Sequence, residues 1–543
     1  MEKLMERFMK GPKIEPVVFW CSLTALVIAS ALAAIYQDKV LTSANKIMGV
    51  YTGQWGWSFM IFGAASIIFL FWLGFGPYGK IKLGKPDDKP EFSTIAWMAM
   101  LFCTGIGTGL VYWSIIEPIY YMQGPPFGLE VGTAEAAEWA AAYGIYHWGP
   151  IPWAIMLVFG VPLAYSYYVR RNDRLSLGGA FKGHFGKSAS VWGPNVIDLL
   201  VMFAVLGEAT TILGLGTPML SASIAKLVGI PESFSLTVTI LLIWTLIFCT
   251  STFLGLDRGL KKLSTINVYL AVSLLIFTLF AGPTSFILNT FTNSIGLIFQ
   301  NAIRMTFWTD PVGQGGWPQG WTIFFFAWWL GAAPFVGVFL AKISKGRTIR
   351  EVAIAPLIWG SLGCAVFFAV FGGISLNIEL YGAQSMTQLM ADSGPATTIA
   401  AILSQLPIAT VVFPLFILLM FVFCATTIDS CSYSLAIVCT KALKQGEEPA
   451  RWNRMFWAIG IGISAVTLMA IGGLQPLQAL SLVTAAPLMF IAVALAVCFV
   501  KDIKKDTQGF IKHETIGIDY DPISDSVINH EPITMSTQKV LNK

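Results

Sequence analysis

The stretch from Trp321 to Lys342, WTIFFFAWWLGAAPFVGVFLAK, is apolar enough to span a bilayer, yet it carries Trp321, Trp328 and Trp329. Trp321 and Trp328 lie two helical turns apart and so share a face. Aromatic faces of this kind can hold an organic cation. Behind them, Gly331, Ala332, Ala333 and Pro334 remove bulk and one backbone donor, which predicts that the helix kinks or opens there. An ordinary spanning helix with interfacial tryptophans and a proline kink fits the same residues. His147-Trp148-Gly149-Pro150-Ile151-Pro152-Trp153 offers two further aromatic faces, Trp148 and Trp153, which also suit an interfacial belt.

Gly105-Ile106-Gly107-Thr108-Gly109 places three alternate glycines inside another apolar run. Glycine there costs helix stability, so the backbone is expected to unwind and offer free carbonyls to a dehydrated alkali cation. A close helix–helix contact through small residues is the alternative. A phosphate loop is excluded, because no strand precedes the glycines. Thr426-Thr427-Ile428-Asp429-Ser430-Cys431-Ser432 packs hydroxyls around one acid. Such hydroxyls often only bond their own helix, but an intramembrane carboxylate is costly and by default suggests function. Glu117 and Glu208 are the other acids deep in apolar runs. Glu117 precedes Pro118 and fits a structural hydrogen-bonding role, whereas Glu208 needs a partner, a proton or a cation. Asp429 and Glu208 are therefore the candidate coupling acids. His147 is the only histidine in an apolar run, so metal chemistry has no cluster to build on.

These residues must be positioned by membrane-spanning helices. Of 543 residues, 55% are hydrophobic and 12% charged, half the charged share of a soluble domain at roughly 25%. The chain therefore reads as an all-α polytopic membrane protein. Twelve spans are expected near 16–36, 55–77, 93–121, 138–169, 193–220, 233–254, 263–290, 321–342, 350–375, 407–441, 453–472 and 478–500. With both termini inside, 30 of the 34 Lys and Arg fall in inner segments, leaving Lys39, Lys46, Lys226 and Arg304 outside. That bias predicts cytoplasmic termini and an even number of spans. A surface helix is expected near 293–306, and a disordered polar tail after 500. The eight cysteines show no metal-ligand spacing and suggest no disulfide framework. No cleavable signal peptide is expected, because the first apolar run is long enough to remain as a span.

Several ordered motifs resemble the betaine/choline/carnitine transporter family over about residues 12–505. They are GPYGK and EFS near 76–93, Glu117-Pro118, HWGPIPW at 147–153, GLDRGLKKLS at 255–264, WTIFFFAWW with FLAKISKGRT, and GEEPARW at 446–452. The stretch TDPVGQGGWPQGW at 309–321 is similar to the carnitine/butyrobetaine branch. The resemblance implies twelve transmembrane helices, the third to twelfth forming an inverted 5+5 helix repeat (LeuT-like), with the third and eighth spans as paired first helices. It implies 1–92 as the N-terminal segment with two spans and 93–254 as the first-repeat core. The seventh span and outer helix then occupy 255–320, the eighth to twelfth spans 321–500, and the tail 501–543.

By the same resemblance, the substrate box falls on Trp148, Trp153 and Trp328, beside Trp329, with Tyr120 lining it and Trp321 at an outer site. Met156 and Ala332 stand where family aromatics are usual, at ~0.5–2 kcal/mol of cation–π binding per lost contact. The family's sodium site falls on the carbonyls of Cys103, Ile106 and Phe423 and the hydroxyls of Thr426 and Thr427. Asn267 replaces the arginine, and Val336 the methionine, of the sodium-independent carnitine exchanger, which favours sodium coupling. The expectation is a secondary transporter importing a quaternary-ammonium compound such as glycine betaine or carnitine. It would have no cofactor beyond sodium as coupling ion, no nucleic-acid partner and no enzymatic activity, and would work as a homotrimer in a bacterial inner membrane. The alternatives are a sodium-independent carnitine/butyrobetaine-type antiporter and, from another class, a transporter-like sensor.

Overall fold

The computed structural model describes residue 9 and residues 11–186, 192–406, 408–472 and 484–516. The described chain is built of helices: α1 (Pro16–Ile35), α2 (Gly56–Phe75), α3 (Thr94–Gly105), α4 (Gly107–Gln123), α5 (Ala134–His147), α6 (Pro150–Tyr168), α7 (Gly193–Val228) and α8 (Phe234–Leu254). There follow α9 (Lys261–Ala281), α10 (Thr284–Phe307), α11 (Thr322–Ile343), α12 (Ile349–Phe367), α13 (Met386–Ser404), α14 (Ala409–Val438), α15 (Arg451–Gly472) and α16 (Ala485–Ile516). Among the described residues, nine helices are long and apolar enough to cross a membrane, or eleven if each of two bent pairs counts as one span. That compares with the twelve expected. The helix in place of the eleventh expected span, α15, is outside that count, and the start of the twelfth, 478–483, lies outside the described residues.

Local chemistry sets the helix ends. Ser93 caps α3 by accepting from the Ala96 N–H, and Thr348 with Glu351 forms a capping box at the start of α12. At 147–153 the expected continuous span is interrupted: α5 ends at His147 and Pro150 opens α6 at its first turn. The seventh span also differs from expectation. It stops at Ala281, because Gly282-Pro283 intervenes, and the surface helix starts at Thr284 and not near 293. The helix α13 was not expected at all. Its sequence is polar at first and carries Pro395, yet Ser385 caps it and Thr398 to Leu403 are buried. Residues 501–516 extend α16 where a disordered tail was expected, and the rest of that tail lies outside the described residues. The extension is anchored: Asp506 accepts from the Tyr165 hydroxyl at 2.8 Å, and Asp502 pairs with Arg170 and His184.

Inside a membrane, close packing and hydrogen bonds must supply what water exclusion supplies elsewhere. Among the described helices the pair α6 and α11 makes the most extensive contact. A methyl group added at Gly337 would lie 2.8 Å from Phe159 Cβ and 3.0 Å from the Gly160 backbone nitrogen, so the two helices meet almost backbone to backbone. The helix α11 is buried along nearly its whole length and runs unbroken through Pro334, where a kink or an opening was expected, so the helix does not open there. Residues such as Ile266, Tyr269 and Phe280 on α9 leave apolar side chains exposed on the outside, as a lipid-facing surface requires.

Candidate functional site

The organising feature is the break between α3 and α4. Ile106 leaves helical geometry at φ −141° and ψ −8°, and the two helices bend by 63° across it. Each glycine of the run serves a different neighbour. A methyl at Gly105 would sit 3.6 Å from Met156 Sδ and 3.8 Å from Trp153 Cη2, and one at Gly109 would sit 3.3 Å from Trp148 Cη2. Gly107 faces α14: a methyl there would run into Thr427 Oγ1 and come within 3.1 Å of Phe423 Cδ1.

On the Gly107 side, oxygens converge. Thr427 Oγ1 donates to the carbonyl of Cys103 at 2.8 Å and reaches that of Phe423 at 2.9 Å, and Thr426 Oγ1 donates to Phe423 O at 2.8 Å. The Cys103 carbonyl is in the last turn of α3, where no following helical N–H serves it. The Ile106 carbonyl accepts the Leu110 N–H at 2.8 Å and so starts α4. Four of the five expected ion-site residues thus form one bonded cluster, with Ile106 at the break beside it. Hydroxyl and carbonyl oxygens suit a hard cation. Asn267, fully buried on α9, places its Nδ2 3.7 Å from Cys103 Sγ, and its Oδ1 has no hydrogen-bond partner. Val336 is buried on α11.

On the other side, rings gather. Trp328 and Trp329 stack at 5.6 Å with 13° between their planes, and Trp148 meets Trp329 edge-on at 4.8 Å. Trp153, fully buried, stacks with Phe102 at 6.3 Å, and among the described residues no ring contact joins it to Trp148, Trp328 or Trp329. Tyr120 and Trp321 form an outer layer, 5.5 Å apart. Two residues that sequence reasoning missed join these layers. Trp113 touches Tyr120, Trp321, Phe325 and Trp328, and Phe325 lies against Trp148, Trp328 and Trp329. The signal for Trp113 was its spacing, since it lies two turns before Tyr120 on one face of α4. Past the box, α12 widens into a π-turn at Phe368–Gly372, and Phe368 packs on Trp148 at 5.8 Å.

Three indoles are held by their N–H groups. Trp148 Nε1 donates to Glu117 Oε2 at 2.9 Å, Trp328 Nε1 to Glu208 Oε2 at 2.7 Å, and Trp329 Nε1 to the His147 carbonyl at 3.1 Å. Glu117 also accepts from the Tyr121 hydroxyl at 2.5 Å, close to His147 Nδ1 at 3.3 Å. Neither carboxylate–indole pair was foreseen, because the partners are 31 and 120 residues apart. Asp429 lies away from the rings: Ser251 and Thr252 on α8 both donate to its carboxylate, the latter at 2.5 Å, so it ties α8 to α14. Among the described residues no group of three or more His, Cys, Asp or Glu is placed to hold a metal ion.

A sequence profile of the BCCT family, the betaine/carnitine/choline family transporters, matches residues 17–508. The chain belongs to that family. It is a multi-pass membrane transporter and not an enzyme. The solved structure of a Na+-coupled sialic acid symporter, in a substrate-bound outward-open state, is similar to it over 77% of this chain and 80% of that one, at 15% identity and a TM-score of 0.44. In this transporter Gly105 and Gly109 face tryptophans, and Gly107, between them, faces the oxygen cluster.

Proposed function

We propose that this transporter imports a quaternary-ammonium compound of the betaine, carnitine or choline kind together with sodium. The substrate's cation would rest on the faces of Trp148, Trp153, Trp328 and Trp329, with Tyr120 and Trp321 along its path. Sodium would take the oxygens of Cys103, Ile106, Phe423, Thr426 and Thr427. One observation carries this reading: the same five-residue run faces Trp153 at Gly105, Trp148 at Gly109 and Thr427 at Gly107. An ion that fixed this run would fix two walls of the box with it, so ion and substrate would favour one state together. The family resemblance adds a homotrimer in a bacterial inner membrane.

The test is uptake of labelled glycine betaine, carnitine and choline into proteoliposomes, with and without an inward sodium gradient. Sodium-driven accumulation into empty vesicles is expected, and Trp328→Ala should abolish it. Uptake that needs preloaded substrate and ignores sodium would replace this reading with exchange.

A further inference from the structure

A cavity of about 630 Å³ lies where the two connections expected on the outer face meet, 122–137 and 291–320. Phe127, Arg304, Trp308, Asp310, Trp317 and Trp321 line it. Trp321 also belongs to the outer layer of rings above the box, so the cavity ends where those layers begin. Of the four basic residues expected outside, Arg304 is the one that lines it. Its guanidinium lies over the Phe127 ring at 4.0 Å. A guanidinium holds five N–H donors in its own plane and accepts nothing, so a ring beneath it leaves those donors for another partner. Asp310 takes the Gly315 N–H at 2.7 Å within its own loop, and among the described residues no ion pair joins it to Arg304. Two opposite charges thus border one cavity without closing on each other. Phe127, at φ +60°, and Asp310, at φ +51°, hold a left-handed backbone that side chains avoid, and strain of that kind collects at ligand sites.

We propose that this cavity receives a zwitterion on its way to the box, and that Arg304 is the residue that reads its carboxylate. The inference rests on the proposed function and narrows the substrate to betaines that carry a carboxylate. The ammonium would lie on the tryptophan faces, with the Asp310 charge adding attraction. Arg304 would take the carboxylate through two parallel N–H donors, a fork that lysine does not have. Choline presents the same trimethylammonium group with a hydroxyl in place of the carboxylate, so the rings do not tell the two apart. The guanidinium does, because a charge-assisted bond to a carboxylate is about twice as strong as one between neutral groups.

The experiment measures uptake of glycine betaine, carnitine, choline and glycine betaine methyl ester into proteoliposomes by the full-length protein, by Arg304→Gln and by Arg304→Lys. The ester keeps the ammonium and loses the negative charge, so its comparison with glycine betaine isolates the part played by Arg304. Arg304→Gln is expected to lower kcat/KM about ten-fold or more for the two zwitterions, chiefly through KM, and about two-fold or less for choline and the ester. Arg304→Lys keeps the charge without the fork, and its loss for the zwitterions should fall between wild type and Arg304→Gln. Equal losses for all four compounds, or none for the zwitterions, would overturn the proposal and leave Arg304 as a surface charge stacked on Phe127. If Arg304→Gln does not fold, Arg304→Lys decides by the same comparison of glycine betaine with its ester. Failure of wild-type protein to take up any of the four would instead overturn the proposed function itself.

Discussion

The third span breaks at Ile106, whereas the eighth runs unbroken past Pro334, although both cross the site and both carry residues that weaken a helix. Intrinsic propensity does not separate them. Three glycines at about 1 kcal/mol each are no heavier a handicap than one proline at about 3 kcal/mol with Gly331 and Gly337 in the same helix. What differs is what each backbone meets. At the third span, Thr427 takes over the Cys103 carbonyl, so a broken turn loses little hydrogen bonding. At the eighth, α6 lies against the backbone of α11 at Gly160 and Gly337, and an opened turn would have nowhere to go. A weak sequence breaks when a neighbour offers it partners, and stays whole when a neighbour only confines it.

The sharpest way to break this comparison is Gly107→Ala. The added methyl collides with Thr427 Oγ1 and presses on Phe423, so sodium-driven uptake should fall more than ten-fold and stability by about 1–3 kcal/mol. Uptake that survives would mean the close approach at Gly107 is dispensable. Thr427→Val comes next. It keeps the shape but strips the buried Cys103 carbonyl of its hydroxyl donor, while the Phe423 carbonyl still accepts from Thr426, at about 1–3 kcal/mol. Its apparent affinity for sodium, titrated in the uptake assay, should weaken at least ten-fold; an unchanged sodium titration would take Thr427 out of the ion site. The smallest effect belongs to Pro334→Ala. The residue is already accommodated in a continuous helix, so uptake should stay within about two-fold and thermal stability should hold or rise. Loss of transport would show that the eighth span opens elsewhere in the cycle.

Much of the site could be read from the sequence, for reasons that differ residue by residue. The break at Gly105 to Gly109 was legible because glycine acts locally, whatever surrounds it. The grouping of Trp148, Trp328 and Trp329, and that of Thr426 and Thr427 with the Cys103 and Phe423 carbonyls, was legible through ordered motifs. The partners of Glu117 and Glu208 were not, since a carboxylate–indole bond across 31 or 120 residues leaves no local pattern. Of the kink or opening expected at Pro334, the opening is absent because confinement by α6 is a tertiary fact. Nor was α13 visible: its buried Thr398 to Leu403 follow a polar stretch with a proline, which reads as loop.

The contact between Gly160 and Gly337 also has a kinematic consequence. With almost no side chain between them, α6 and α11 cannot slide or tilt past each other without one backbone climbing over the other. Trp153 rides on α6, Trp148 just ahead of it, and Trp328 and Trp329 on α11. A disulfide engineered between the two helices should therefore leave transport running, and arrest by it would show that they do part. If transport survives it, the helices that carry the four indoles travel as one block, and the 63° break between α3 and α4 is left as the place where the site changes shape.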